Sequence, residues 1–247
     1  MNKRITFKYE ILDYTVMFVC GILCGAISFM SANSYIEQNV EKVLENARFE
    51  YMTNIIFFND GFKQIEYMQS NIMKLLTIML YFYLLPLVII LYRYSRESRE
   101  YYSMLMTRVD SGKKIVKIIR KKPIILSLSY VCGFMGLVLT AGYFYTEKVS
   151  VLSGDLVSFA LFMVSKVIVL TAFVNIFFLL YVGYGSGIAF FVGNLLFLVT
   201  AILDINIGKI NILLYHPGGY YVDSIIISCV VLVMVRIMQN MIFGKVK

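Results

Sequence analysis

The sequence predicts an all-α polytopic membrane bundle of six transmembrane helices, with both termini in the cytoplasm. Hydrophobic residues make up 60% of the 247 residues and only 15% are charged, whereas a soluble domain keeps about a quarter of its residues charged. Six apolar segments are long enough to cross about 30 Å of hydrocarbon at about 1.5 Å per residue. Within a single transmembrane domain, 1–247, we place these spans at 12–31, 72–92, 123–145, 157–182, 187–203 and 223–243.

The charges of the connecting loops predict the orientation of this bundle. The loop from 93 to 122 holds ten lysines and arginines against three acidic residues. Because basic loops stay on the inner side of the membrane, this loop is predicted to be cytoplasmic. The loop from 32 to 71 holds six acidic residues against three basic ones, and it is predicted to be extracellular. With six crossings, both of the basic termini then lie inside.

Three connections have compositions that predict their backbone structure. Helix formers in the 32–71 loop predict that the flanking helices extend beyond the bilayer. Residues 183–187, Gly-Tyr-Gly-Ser-Gly, predict a tight cytoplasmic turn between spans four and five, because glycine adopts positive φ angles. Residues 204–222 include His216-Pro217-Gly218-Gly219. They form either a plain loop or a re-entrant helical pair, which is tolerated only where protein or water satisfies its backbone.

The residues that several kinds of chemistry require are missing from the sequence. A membrane metalloprotease needs clustered His, Asp or Glu ligands, but the one histidine, His216, lies in a turn. No glycine-rich loop followed by Lys-Ser or Lys-Thr is present to hold a phosphate. We therefore expect that this chain is not an enzyme and binds no cofactor. The net charge of +8 does not indicate nucleic acid, because the basic residues crowd beside apolar runs, where they set topology and contact anionic lipids.

The cytoplasmic loop carries a pattern that goes beyond topology. Tyr101, Met104 and Leu105 recur at three- and four-residue steps, as one face of a short helix does. Asp110-Ser111-Gly112 interrupts that helix, and a second amphipathic segment, 113–122, leads into span three. Two interpretations remain open. The loop is either a solvated basic linker at the lipid headgroups, or a docking helix that enters a groove on a soluble partner.

This arrangement resembles the permease subunit of type 2 ATP-binding cassette exporters. Met104-Leu105-Met106 stands where that family has a leucine-rich helix, and residues 110–116 stand where it has a break followed by an Ile-Val-x-x-Lys-like run. The family's proline in the break is absent, and so is its Gly-Thr before the helix. The layout of six spans, with both ends inside and a broken segment before span six, matches over nearly the whole chain.

The resemblance implies partners, a substrate class and a location. Separate ATPase subunits would bind ATP and Mg, and a second permease copy or a paralogue would complete the pathway. The substrate would be amphipathic, a peptide such as a bacteriocin or toxin or else a lipid-like drug, moved outward across the plasma membrane of a Gram-positive bacterium. An alternative is a non-transporting membrane immunity or scaffold protein that binds a peptide. The residues predicted to couple to the ATPase are Arg99, Glu100, Tyr101, Met104, Leu105, Arg108, Asp110, Lys113, Tyr184 and Gly185.

Ionisable and aromatic residues inside the spans are candidates for the pathway. A charge inside a membrane helix costs about 2.5–3.5 kcal/mol on insertion scales, which singles out Lys166 and Arg236. Lys166 and Arg236 can instead snorkel to the membrane surface, which is favoured for Arg236. Lys74 and Asp13 lie near span ends and can snorkel as well, so a structural role is expected for both. Aromatic walls suit an amphipathic substrate, but they equally suit packing. The predicted pathway residues are Tyr81, Phe82, Lys166, Asn194 and Phe197. The pairs Gly21/Gly25 and Gly133/Gly136 are predicted to allow close helix packing.

Overall fold

The computed structural model describes residues 3–38, 85–89, 112–146, 153–207, 212 and 221–243. All regular secondary structure in these residues is helical, as predicted. Residues 85–89 are helical, and the other described ranges form five long helices. These are α1 (Lys3–Gln38), α2 (Gly112–Thr146), α3 (Ser153–Tyr184), α4 (Ser186–Ile207) and α5 (Tyr221–Phe243).

Four of the described helices are long and apolar enough to cross a membrane. The qualifying stretches are Ile11–Ser34, Lys121–Gly142, Met163–Tyr181 and Val222–Met241, and each falls on a predicted span. In α4 the apolar stretch is shorter, Gly187–Thr200. Most of the predicted span at 72–92 lies outside the described residues, so the count of six stays a prediction. The long apolar helices are those expected of a membrane-embedded protein.

Two helices extend well past their apolar stretches. The first, α1, continues to Gln38, seven residues beyond the predicted end of span one, as the helix formers there predicted. The second, α2, begins at Gly112, the last residue of the predicted break. From there it continues without interruption through Pro123 to Thr146. Residues 112–122, about the last third of the predicted cytoplasmic loop, are therefore part of the same helix as span three.

The described helices fall into two compact units. Unit 1 contains α1, residues 129–146 of α2 and the first part of α3, up to Met163. Unit 2 contains residues 112–128 of α2, the remainder of α3, α4, and α5 from Val222 onward.

In unit 1, three glycines let α1 and α2 approach at backbone distance. A Cβ added at Gly25 would lie 2.9 Å from the carbonyl oxygen of Phe134, and one added at Gly21 would lie 2.9 Å from the Phe134 amide nitrogen. Gly133 of α2 faces the backbone of Phe18 in the same way. Without side chains, backbones come close enough for dispersion and Cα–H···O contacts. The predicted packing role is confirmed for these three glycines.

The fourth predicted packing glycine, Gly136, does not take part. A Cβ built there meets nothing within 4 Å, and the residue is exposed. The prediction was wrong because Gly133 and Gly136 are three residues apart, so they point about 60° apart around the helix. Only one of them lies on the narrow line of contact with α1.

The contacts of unit 1 also give the relative direction of its two long helices. The neighbours of Gly21 are Tyr130 and Phe134, whereas the neighbours of Gly25 are Phe134 and Leu137. One turn forward along α1 therefore corresponds to one turn forward along α2. The two helices run in the same direction through this contact.

In unit 2, α3 and α4 form a hairpin joined by a single residue, Gly185. Its φ is +89°, where a side chain is strained. Its amide donates to the carbonyl of Tyr181 (3.0 Å) and ends α3, and its own carbonyl accepts from the amide of Ala189 (3.1 Å) and begins α4. Gly185 thus caps one helix and starts the next. The predicted tight glycine turn is confirmed.

The hairpin has a symmetric register about Gly185. Phe177 precedes it by eight residues and Gly193 follows it by eight, and the Phe177 ring fills the space where a Cβ of Gly193 would be. Phe173 and Phe197 lie twelve residues to either side, and their rings meet edge to face with centroids 6.0 Å apart. These ring contacts hold the register of the antiparallel hairpin of α3 and α4.

Candidate functional site

The buried polar side chains of α3 and α5 form the candidate functional site. In α3 they are Ser165, Lys166, Thr171 and Asn175, and in α5 they are Ser224, Ser228 and Gln239. All seven lie in unit 2 and within the apolar stretches of their helices. Because polar groups inside membrane helices are costly and need partners, their positions are functional candidates.

Lys166 is completely buried and binds main-chain oxygen. None of its surface is exposed, and its Nζ donates a hydrogen bond to the carbonyl oxygen of Ile212 at 2.7 Å. Ile212 lies in a bend beyond the end of α4. Lys166 therefore donates to backbone that is bent at this residue, and buried backbone carbonyls need such hydrogen-bond partners. Of the two alternatives that the sequence left for Lys166, the structure has the buried one and not the snorkelling one.

Two other charged residues of the spans occupy contrasting positions. Arg236 is exposed on α5, five residues before the end of its apolar stretch at Met241. That position is compatible with the snorkelling predicted for it. Asp13 on α1 is buried, with 4% of its surface exposed. This burial does not fit the snorkelling by which a structural role was expected for Asp13 near a span end.

Asn175 and Gln239 join α3 to α5 through their amide groups. The Nε2 of Gln239 donates to the Oδ1 of Asn175 at 3.1 Å, and the Nδ2 of Asn175 donates to the carbonyl of Thr171, one turn earlier in α3, at 2.7 Å. Both amides are almost fully buried. The amide of Asn175 therefore has a defined orientation, with its nitrogen directed to its own helix and its oxygen directed to α5.

The buried stripe of α5 is mostly polar. Among the residues of α5 whose burial the structure describes, the buried ones are Ser224, Ser228, Val235 and Gln239, which are spaced by four, seven and four residues and so share one face. The opposite face is exposed and largely apolar. A helix with polar residues inward and apolar residues outward is expected where lipid replaces water as the solvent. Small serines on the inner face permit close packing against a neighbouring helix.

Three of the predicted pathway residues are described by the structure, and each of them makes a different kind of contact. Asn194 is half-buried on α4, and its Nδ2 donates to the carbonyl of Phe190 in the same helix at 2.8 Å. Phe197 is buried against Phe173, so its ring contributes to packing of the hairpin. Lys166 is held at Ile212, as described above. Tyr81 and Phe82 lie outside the described residues.

The predicted coupling residues are only partly within the described structure. Tyr184, the last residue of α3, is 68% exposed, and the adjacent Gly185 is exposed as well. Lys113 lies in the first turn of α2. The coupling residues and the turn histidine that lie outside the described residues are Arg99, Glu100, Tyr101, Met104, Leu105, Arg108, Asp110 and His216.

Sequence reasoning missed Asn175 and Gln239. The predicted pathway residues were ionisable or lay in the aromatic segments of spans two and five, which is how Asn194 was included, and Asn175 and Gln239 meet neither condition. A signal was nevertheless present, because Ser224, Ser228 and Gln239 repeat at spacings of four and eleven residues in an otherwise apolar run. Such a repeat puts all three on one face of a helix.

Comparison with protein-family models, with curated proteins and with solved structures found no match to this chain.

Proposed function

We propose that this chain is the permease subunit of a type 2 ATP-binding cassette exporter. It would move an amphipathic peptide or lipid-like molecule outward, driven by ATP hydrolysed on a separate partner subunit. The observation that carries the proposal is the continuity of α2 from Gly112 to Thr146. This helix joins the predicted cytoplasmic coupling loop directly to a membrane-crossing stretch.

The length of α2 suits the transmission of a mechanical stroke. Its 35 residues extend about 52 Å, whereas the hydrocarbon core is about 30 Å thick. The apolar stretch begins at Lys121, so the preceding residues project about 13 Å on the basic side. Because α2 is one continuous helix, a push at Gly112 would be passed along it into the span, and Pro123, which lacks a backbone N–H, is the position at which the helix can bend. The projecting part contains Lys113, Lys114, Lys117 and Arg120, a composition that favours water over hydrocarbon.

The direction of α1 and α2 supports the predicted topology. Two membrane-spanning helices that run the same way require an odd number of crossings between them. The predicted span at 72–92 supplies one crossing in the intervening chain. This arrangement is the one expected if the loop at 32–71 and the loop at 93–122 lie on opposite sides.

The order of the helices also supports two contacts with one partner. If α2 and α3 each cross the membrane once, the start of α2 and the α3–α4 turn lie on the same side. Tyr184 is largely exposed at that turn. A soluble ATPase that docks beside Gly112 would then meet a second exposed feature of the permease at Tyr184 and Gly185.

The proposal is tested at the predicted docking helix. Replacing Met104 and Leu105 together by Asp removes two apolar anchors, each expected to contribute about 1–3 kcal/mol when buried in a partner groove. We expect the tagged double variant to reach normal membrane levels but to recover less ATPase subunit and less ATP hydrolysis from detergent-solubilised membranes. Single changes of Arg99 or Arg108 to Gln serve as controls, with smaller effects that depend on salt.

The same experiment separates the proposal from its alternative. If the double variant recovers as much ATPase subunit and as much ATP hydrolysis as the parental chain, this loop is a lipid-facing basic linker and not a docking helix. If the parental chain recovers no ATPase subunit at all, the non-transporting immunity or scaffold protein becomes the better description.

A further inference from the structure

A hydrogen bond between two buried side-chain amides joins α3 to α5 within unit 2. It has a length of 3.1 Å and runs from Gln239 to Asn175. Ser224 and Ser228 are also buried, and they lie on the same face of α5 as Gln239. We call these four residues, Asn175 of α3 together with Ser224, Ser228 and Gln239 of α5, the polar seam.

Within unit 2, α5 is enclosed much less than α3. In α5, 22% of the apolar stretch is buried, whereas in α3 61% of it is buried. Lipid-facing apolar side chains contribute no hydrophobic force toward helix association, because lipid tails are equally apolar. The exposed large apolar residues of α5 are Val222, Ile226, Val230, Val233, Met234, Ile237, Met238 and Met241. Specific attachment of this helix therefore depends strongly on the few residues of its buried face.

The hydrogen bond between the side-chain amides of Gln239 and Asn175 is sensitive to small movements of α5. Asn175 has its Nδ2 engaged by the Thr171 carbonyl, which fixes its Oδ1 as the acceptor offered to α5. Gln239 reaches that oxygen from a position eleven residues beyond Ser228, at the far end of the polar stripe. Movement of α5 by a fraction of a helical turn would break this bond, since hydrogen bonds weaken steeply beyond about 3.2 Å.

We propose that the Asn175–Gln239 pair is a conformational latch between α3 and α5. When the bond is made, α5 lies against α3 and the polar seam is dry. When it is broken, α5 moves away, and Ser224 and Ser228 become accessible to water and to the polar groups of a molecule that enters from the side. The inference concerns a movement of this chain alone, so it holds or fails independently of any ATPase partner.

The test measures the accessibility of the seam. In a variant with Cys20, Cys24, Cys132 and Cys229 replaced by Ala, Ser228→Cys places one thiol on the buried face of α5. The rate at which a small maleimide labels it is measured in native membranes. Asn175→Leu and Gln239→Met each remove the bond with little change in side-chain size. Each is expected to raise the labelling rate about three- to twentyfold, the range that interhelical hydrogen bonds in membranes span.

Two comparisons make the result specific to the latch. Asn194→Leu removes an amide that donates within its own helix, so the rate should stay at the parental value. The double variant Asn175→Leu/Gln239→Met should label no faster than the quicker single variant, because both changes break one bond. An unchanged rate in both single variants, an equal rise in Asn194→Leu, or rates that multiply in the double variant would each overturn the proposal.

Discussion

The Nζ of Lys166 donates to the carbonyl oxygen of Ile212 at 2.7 Å, across 46 positions of sequence. The bond joins α3 to a residue beyond the end of α4. Lys166 precedes the turn residue Gly185 by 19 positions. In the antiparallel hairpin it therefore lies opposite the last turn of α4, which ends at Ile207, and its amine can reach a residue that follows that helix closely in the sequence.

Replacing Lys166 by Met should destabilise the protein. The variant removes a buried donor from the Ile212 carbonyl, and hydrogen bonds that involve charged groups contribute about 1.5–3 kcal/mol. We expect a lower midpoint of thermal unfolding for the purified protein in detergent. Arg236→Met is the control, because Arg236 is exposed on α5 and should change the midpoint little. A midpoint for Lys166→Met equal to or above that of the parental protein would contradict this role.

The three packing glycines of unit 1 should tolerate substitution far less well than Gly136. Gly21→Ala places a methyl group against the Tyr130 carbonyl and 2.9 Å from the Phe134 amide nitrogen. The helices must then move apart, at a cost of about 1–3 kcal/mol. Gly136→Ala enters open space and should be neutral or stabilising, because alanine favours a helix over glycine by about 0.5–1 kcal/mol. Resistance to unfolding by SDS in mixed micelles measures both, and equal resistance would count against the close contact.

Gly185 and Gly187 allow conformational strain to be separated from crowding. A Cβ at either position meets nothing within 4 Å, but only Gly185 has a positive φ. Gly185→Ala should therefore cost about 1–2 kcal/mol through backbone strain alone. Gly187→Ala, within α4, should be neutral or favourable. Thermal unfolding of the two purified variants checks this difference, and a Gly185→Ala variant as stable as Gly187→Ala would refute the capping role.

Labelling of introduced cysteines should establish the orientation. In the cysteine-free variant, Asn59→Cys is predicted to react with an impermeant maleimide added outside intact cells, because the charge pattern predicts that the acidic loop at 32–71 is extracellular. Ser111→Cys is predicted to react only after the cells are opened. The reverse pattern would invert the topology, and labelling of both from outside would remove the crossing predicted between them.

The positions of the long apolar helices were predictable because the free energy of transfer from water to lipid is largely a property of each residue. Summed over about 20 residues, it gives a strong signal, and the four long apolar stretches fall on predicted spans. The turn at Gly185 was also predictable from a short stretch of sequence, because a positive φ favours glycine whatever surrounds it.

Which side chains meet was not predictable in the same way. Phe191 and Phe197 look alike in the sequence of α4, yet Phe191 is exposed and Phe197 is buried against Phe173. Gly133 and Gly136 also look alike, but α1 lies against only one of them. In lipid both faces of a helix are apolar, so hydrophobic periodicity does not mark the inner one.

By itself, then, the sequence determined the helical class, the places of the long apolar helices, the glycine turn and the charge pattern that predicts orientation. Each of these depends on one residue or on one continuous segment. Only the tertiary structure decided that Lys166 binds the Ile212 carbonyl and that Gln239 binds Asn175, 64 positions away. Those pairings depend on how separate helices pack, because a buried polar group takes the partner that the fold brings within about 3 Å.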